Sequence, residues 1–336
     1  MRIRTRALEP RWLLVISFFI AGIFLGMLAL YLMLNLQSPA LKKLHSQGGE
    51  YKYVNPLLAV DLEEGLQFVQ QKALQLKLQG LLAAAKANHT IVDASLYFRD
   101  IEPGSWVNIN GDGKFSPGKL LKLPIMIAYF KLAQTDPSVL NQRITYYGGQ
   151  PRSSNLFPIA EKLQVGTSYA VSDLIHRMIV FSDDEAANLL FDAIDKNSLN
   201  EVFSDLGIDF KEEKEVLDFI SLKAYTLFFR VLYNATYLNR EYSEKALDLL
   251  VEADNSIGLN ASLPKDISTA NRYGGRLIPN RIPAAFEVYD CGIIYYPSHP
   301  YFLCGIAQGN DLNKIKTFFK DVGDATYNEV DYEYKT

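Results

Sequence analysis

The sequence predicts an α+β fold, in which an antiparallel sheet of about five strands carries helices on both faces and an all-helical subdomain is inserted between the two halves of the sheet. Three observations predict it. Two hairpin-like stretches lie far apart in the chain, at 94–109 and 286–307. The residues between them, above all 171–196 and 222–252, have the spacing of helices. Further helical stretches, 61–86 and 311–321, flank the two hairpins on the outside. Strands grouped at both ends of a domain pair with one another, so both ends contribute to one sheet.

The elements follow in order. Over 61–86, Leu62, Leu66, Val69, Ala73, Leu76 and Leu81 recur on one side, and Glu63, Glu64, Lys72 and Lys77 occupy the others. Ala94-Ser95-Leu96-Tyr97-Phe98 and Trp106-Val107-Asn108-Ile109 flank the break Glu102-Pro103-Gly104, which makes the first hairpin. From Leu120 to Ala133 the chain is mostly apolar, as a buried helix requires. Tyr225, Phe228, Phe229, Leu232 and Tyr233 suit the inner face of a later helix. Phe286–Tyr296 and Tyr301–Ala307 form the second hairpin around Pro297-Ser298-His299-Pro300. Leu312, Ile315, Phe318 and Phe319 then give 311–321 an apolar face. Cys291 and Cys304 flank the second hairpin turn on one face of neighbouring strands, roughly on a diagonal. A bridge and two buried thiols are both open there.

The first residues belong to a different environment. Trp12 to Leu34 carry no charge and are almost all apolar, enough at about 1.5 Å per residue to span a hydrocarbon core of roughly 30 Å. The run is too long for a cleaved signal peptide. Arg2, Arg4, Arg6 and Arg11 precede it and only Lys42 and Lys43 soon follow, which places the N-terminus in the cytoplasm. The expected organisation is therefore a cytoplasmic tail at 1–11, a transmembrane anchor at 12–35, a stalk at 36–60 and an extracytoplasmic domain at 61–336. Gly22 and Gly26 have the spacing of a helix-dimerisation face, which makes a homodimer through the anchor one expectation.

Composition excludes some classes. With 34 basic and 38 acidic residues, a net charge of −4 gives no footing for nucleic acid. The four histidines, His45, His89, His176 and His299, are scattered without metal-ligand spacing, so neither a metal nor a cofactor is expected.

Three short stretches carry the chemistry. Phe115-Ser116-Pro117-Gly118-Lys119-Leu120-Leu121-Lys122-Leu123-Pro124 runs into the buried helix; Ser182-Asp183-Asp184 opens a second; Arg272-Tyr273-Gly274-Gly275 precedes the last hairpin. Over about residues 90–320 the chain resembles class A β-lactamases and the related penicillin-binding serine hydrolases, which carry Ser-x-x-Lys, Ser-Asp-Asn and Lys-Thr-Gly in that order. The resemblance implies a β-lactamase/transpeptidase-like sandwich and a site holding Lys119, Lys122, Ser182 and Asp184 at the catalytic positions, with Arg272, Tyr273 and Gly274 at the substrate carboxylate.

All three motifs depart from that family's pattern. Lys122 matches the motif lysine, so Lys119 stands where the serine nucleophile belongs. Asp184 replaces an asparagine, an acceptor in place of an amide donor. Arg272 replaces a lysine but keeps the charge, and Tyr273 replaces a threonine. Ser116-Pro117-Gly118-Lys119 is itself a Ser-x-x-Lys, but Ser116 before Pro117 also makes a good helix start. No Glu-x-x-Leu-Asn matching the deacylating glutamate is present, and Glu212, Glu213 and Glu215 read as a charged loop. Three readings result. One is an impaired pseudoenzyme that binds cell-wall peptide or related carboxylates. Another is an active hydrolase of β-lactams or D,D-peptides with a shifted nucleophile, and the third is a tethered interaction domain.

Overall fold

In the first hairpin, alternate residues of each strand are apolar, and that period of two decides which side of the sheet each side chain meets. The computed structural model describes residues 22, 27, 52–55, 71–101, 104–115, 118–149, 156, 162–210, 220–253, 257–278, 283 and 285–335. The strands are β1 Asp93–Asp100, β2 Trp106–Ile109, β3 Lys114–Phe115, β4 Arg143–Thr145, β5 Ser168–Ala170, β6 Ile220–Ser221, β7 Thr269–Ile278, β8 Ala285–Ile294 and β9 Tyr301–Gly309. The helices are α1 Lys72–Ala87, α2 Lys122–Thr135, α3 Val171–Val180, α4 Asp184–Ala193, α5 Lys196–Asp205, α6 Leu222–Tyr233, α7 Arg240–Glu252 and α8 Leu312–Lys335.

Five strands form one antiparallel sheet in the order β2-β1-β9-β8-β7, so both ends of the domain meet at the β1–β9 pair. The α+β expectation and the five-strand sheet are both present. On one face Leu96 and Phe98 of β1, Val107 and Ile109 of β2 and Leu303 of β9 pack against Leu74, Leu78 and Leu82 of α1 and Ile315, Phe319 and Val322 of α8. Each fully buried leucine there contributes about 1.5–3 kcal/mol. The other face is covered by α6, which contacts β1, β8 and β9.

Three details differ from the sequence reading. Helix α8 runs to Lys335, well past 321. Gly323 and Thr326 blur the apolar stripe, yet both are spent on packing. A Cβ at Gly323 would lie 1.9 Å from the Leu259 carbonyl oxygen, and the Thr326 hydroxyl donates to Val322 O at 2.8 Å. Cys291 and Cys304 are register partners directly across β8 and β9, not diagonal, and both are buried free thiols. Residues 52–55, within the expected stalk, are bound to the domain. Tyr53 and Val54 donate backbone N–H groups to the Glu244 carboxylate at 2.8 and 2.9 Å, and Asn55 N donates to Tyr233 O at 2.7 Å. Among the described residues no helix is long and apolar enough to cross a membrane. The expected anchor at 12–35 lies outside the described residues except for Gly22 and Met27.

Candidate functional site

The first motif folds as a single 3₁₀ turn, Gly118–Leu121, leading into α2. Gly118 has φ +48°, a left-handed conformation that glycine adopts without steric cost. Lys119 leaves this turn and Lys122 the first residue of α2, so both reach the same neighbour. That neighbour is Asp184. Its two carboxylate oxygens form ion pairs, with Lys119 Nζ at 2.7 Å and Lys122 Nζ at 2.6 Å, and all three side chains are buried.

The second motif positions Asp184 through its own cap. Asp183 ends the link after α3 and accepts the N–H groups of Glu185 and Ala186 at 2.9 and 3.2 Å, the N-cap that starts α4. Arg177 Nε holds the other Asp183 oxygen at 3.0 Å. Ser182 between the two helices has φ +56°. In that conformation its carbonyl accepts from Lys122 Nζ at 2.5 Å, and its hydroxyl lies 3.4 Å from the same nitrogen.

The third motif closes the group from edge strand β7. Arg272 Nη2 donates to the Ser182 hydroxyl at 2.9 Å, and Nη1 donates to Ile179 O, at the last turn of α3, at 3.3 Å. A cation at a helix C-terminus is favourable in itself. Gly274 lies on the same face as Arg272. A Cβ there would be 2.5 Å from a ring carbon of Tyr289, so the space the glycine leaves is filled by that ring. Tyr273 is different: the strand period turns it to the opposite face, where it is buried with Leu259 and Val288 in the apolar core. The site thus brings together Lys119, Lys122, Ser182, Asp184 and Arg272 and leaves Tyr273 out. Ser116 lies outside the described residues, as do Glu212, Glu213 and Glu215.

Two tyrosines border the site: Tyr225, expected on the inner face of its helix, and Tyr289. Tyr225 of α6 is fully buried and donates to Leu120 O at 3.1 Å, which ties down the turn that carries Lys119. Tyr289 of β8 backs Gly274. The signal was a hydroxyl inside the phenylalanine-rich run of α6, because a buried phenol needs a partner.

The electrostatics follow from crowding. Burial pulls Lys122 down to about 7, Arg272 adds repulsion, and Asp184 opposes both. Burial pushes Asp184 up, but Lys122 and Lys119 outweigh it and hold its carboxyl below the usual range. Three basic side chains therefore face one carboxylate in a buried volume.

This arrangement of motifs on a five-strand sheet agrees with a sequence match to the model of the β-lactamase enzyme family over residues 73–330. The chain belongs to that family. Its fold is also that of solved structures of penicillin-binding and β-lactamase proteins. PBP-A is 21% identical, with 80% of this chain and 99% of that one covered and a TM-score of 0.65. A β-lactamase from Sphaerobacter thermophilus is 20% identical over 75% and 96%, with a TM-score of 0.63. A class A β-lactamase from Mycobacterium abscessus is 21% identical over 76% and 99%, also at 0.63. No curated protein matches the sequence. Within this β-lactamase fold Lys119, in the turn before α2, is held in an ion pair with Asp184.

Proposed function

We propose that the protein is a membrane-anchored, catalytically impaired member of the β-lactamase family that binds carboxylate-bearing ends of cell-wall peptides. The observation that carries this reading is the Lys119–Asp184–Lys122 cluster with Arg272 beside it. A lysine at position 119 that attacked a carbonyl would form an amide, which does not hydrolyse readily, so a turnover cycle through it is poor. Three basic groups against one acid still favour an incoming anion, and Arg272 offers bidentate geometry to a carboxylate. A PBP-A mutant has been solved as an acyl-enzyme complex with penicillin G; here the same fold would hold such ligands without the covalent step. The uncharged run at 12–34 and the arginines before it support a single-pass anchor with the domain outside the cell. Gly22 and Gly26 support a helix pair in that anchor.

The test uses the full chain in detergent micelles. Exposure to a fluorescent penicillin under conditions that label an active penicillin-binding protein should give no covalent adduct by mass spectrometry. A peptide ending in D-alanyl-D-alanine should bind, and Arg272→Gln should weaken that binding about tenfold. A stable adduct mapped to any residue, or peptide binding indifferent to Arg272→Gln, would overturn the reading.

A further inference from the structure

The opposite edge of the sheet carries a second polar cluster that none of the three motifs touches. Register pairs Tyr97 with Asn108 and Arg99 with Trp106 across β1 and β2, so these four side chains share one face. It is the face away from the apolar core of α1 and α8, because Leu96, Phe98, Val107 and Ile109 take that core. Together with Asp112 and Lys223 they line a cavity of about 320 Å³. That lies at the small end of the roughly 300–1,000 Å³ typical of ligand sites. Strands β2 and β7 are the two edges of the sheet, so at about 4.8 Å per strand the cavity lies roughly 19 Å from Arg272.

The walls are held in place. Asn108 Oδ1 accepts Gly111 N at 2.8 Å and its Nδ2 donates to Asp112 Oδ2 at 2.7 Å, which fixes the turn after β2. A Cβ at Gly111 would sit 2.4 Å from Asn108 Oδ1, so the turn closes tightly on that amide. Lys223 joins the same turn through its backbone N–H, which donates to Gly111 O at 3.2 Å, and its exposed side chain rims the opening. Ser221 caps α6 by accepting Ala224 N at 3.1 Å, and this sets Lys223 in the first turn of that helix.

The wall chemistry is specific. The indole of Trp106 offers flat apolar surface, with the buried ring of Tyr97 behind it. The guanidinium of Arg99, the amide of Asn108 and the carboxylate of Asp112 offer planar hydrogen-bonding groups. A sugar ring presents one face of C–H bonds and a rim of hydroxyls, and this mixture meets both. The charges discriminate further. Arg99 and Lys223 oppose one carboxylate, Asp112, which the Asn108 amide already engages, and Arg230 of α6 adds positive potential at Tyr97. We propose that the β2 edge is a binding site for an acidic oligosaccharide, whose carboxylate meets Arg99 and Lys223 while a ring stacks on Trp106. This site is independent of the peptide-binding reading at Arg272.

The chain has two tryptophans, and Trp12→Phe leaves Trp106 as the reporter of its own site. In that background, full-length chain in detergent micelles is titrated with tetragalacturonate while indole emission is followed. A saturable change is expected. It should weaken about tenfold in Arg99→Gln and measurably in Lys223→Gln, whose exposed position spares the fold, and stay unchanged in Arg272→Gln. Neutral chitotetraose should bind about tenfold more weakly than the acidic probe. No saturable change, a change indifferent to both charge substitutions, equal binding of the two probes, or dependence on Arg272 would each overturn the proposal.

Discussion

Asp184 and Asp290 are both buried carboxyls, 6% and 1% exposed, on opposite faces of the same sheet region. Asp184 lies among cations. Asp290 sits beneath the turn at Gly258, where it accepts Leu259 N at 2.7 Å and Asn271 Nδ2 at 3.0 Å, with no charged partner among the causes of its shift. Burial acts on both, raising the cost of the charged form. Two lysines overcome it at Asp184, which is held below the usual range. Two neutral hydrogen bonds do not overcome it at Asp290, which is pushed up to about 7. Depth alone thus does not set the state of a buried acid; the count of opposing full charges does. One acid is the counter-ion of Lys119 and Lys122, and the other is a neutral hydrogen-bonding latch in acidic solution.

The largest break in this comparison should come from Asp184→Asn. It leaves Lys119 and Lys122 buried without their carboxylate, a loss of about 3–5 kcal/mol on the scale of broken buried pairs. Chemical denaturation of the full chain measures it, and Asp184→Asn combined with Lys119→Ser should recover part of the loss by removing one cation. A single-variant cost under about 1 kcal/mol would mean the cluster is not the counter-ion site described. Asp290→Asn is the second test, and its signature is pH dependence. The folded pKa of about 7 exceeds the unfolded value of 3.8, so the native state binds more protons between about pH 4 and 7. Stability from this group is greatest below pH 4, falls as pH rises through that window, and is flat above it. Three pKa units set an upper bound of about 4 kcal/mol. Denaturation midpoints at pH 4.5 and 8 should differ less in Asp290→Asn than in the parent; an unchanged difference would remove Asp290 as the source.

Placing a hydroxyl at position 119, the proposed nucleophile position, sharpens the other half of the comparison. Lys119→Ser should leave Asp184 paired to Lys122 and give at most slow hydrolysis of penicillin, because no matching deacylating glutamate motif is present. Rapid steady-state turnover in a spectrophotometric assay would show that the rest of the machinery is intact and that position 119 alone disables it.

What the sequence reveals follows the same division. The face toward α1 and α8 is legible because its strand residues alternate and are mostly apolar, as Leu96, Phe98 and Leu303 are. The gathering of Lys119, Lys122, Ser182, Asp184 and Arg272 is legible through motif order alone. The pairing inside it is not, since nothing local tells that Asp184 meets both lysines across 62 and 65 residues of chain. Tyr273 shows how a motif misleads. Alternation along β7 gives Arg272 and Gly274 one face and Tyr273 the other, and only the register to β8 tells which face is which. The β2-edge cavity leaves no motif because its walls come from three segments joined by the turn at Asn108.

The smallest expected effect tests whether the helical block positions the site or merely covers it. Tyr225→Phe keeps the ring and its packing against Phe228 and Phe229, and removes only the donor to Leu120 O. The stability loss should be about 0.5–1.5 kcal/mol, the range for one net hydrogen bond. Its effect on the turn carrying Lys119 should be the more telling result. If that bond fixes the turn, D-alanyl-D-alanine peptide binding should weaken more in Tyr225→Phe than in Phe228→Leu, whose ring lies in the same helix but makes no bond to the turn. Equal weakening in the two variants would assign Tyr225 to packing alone.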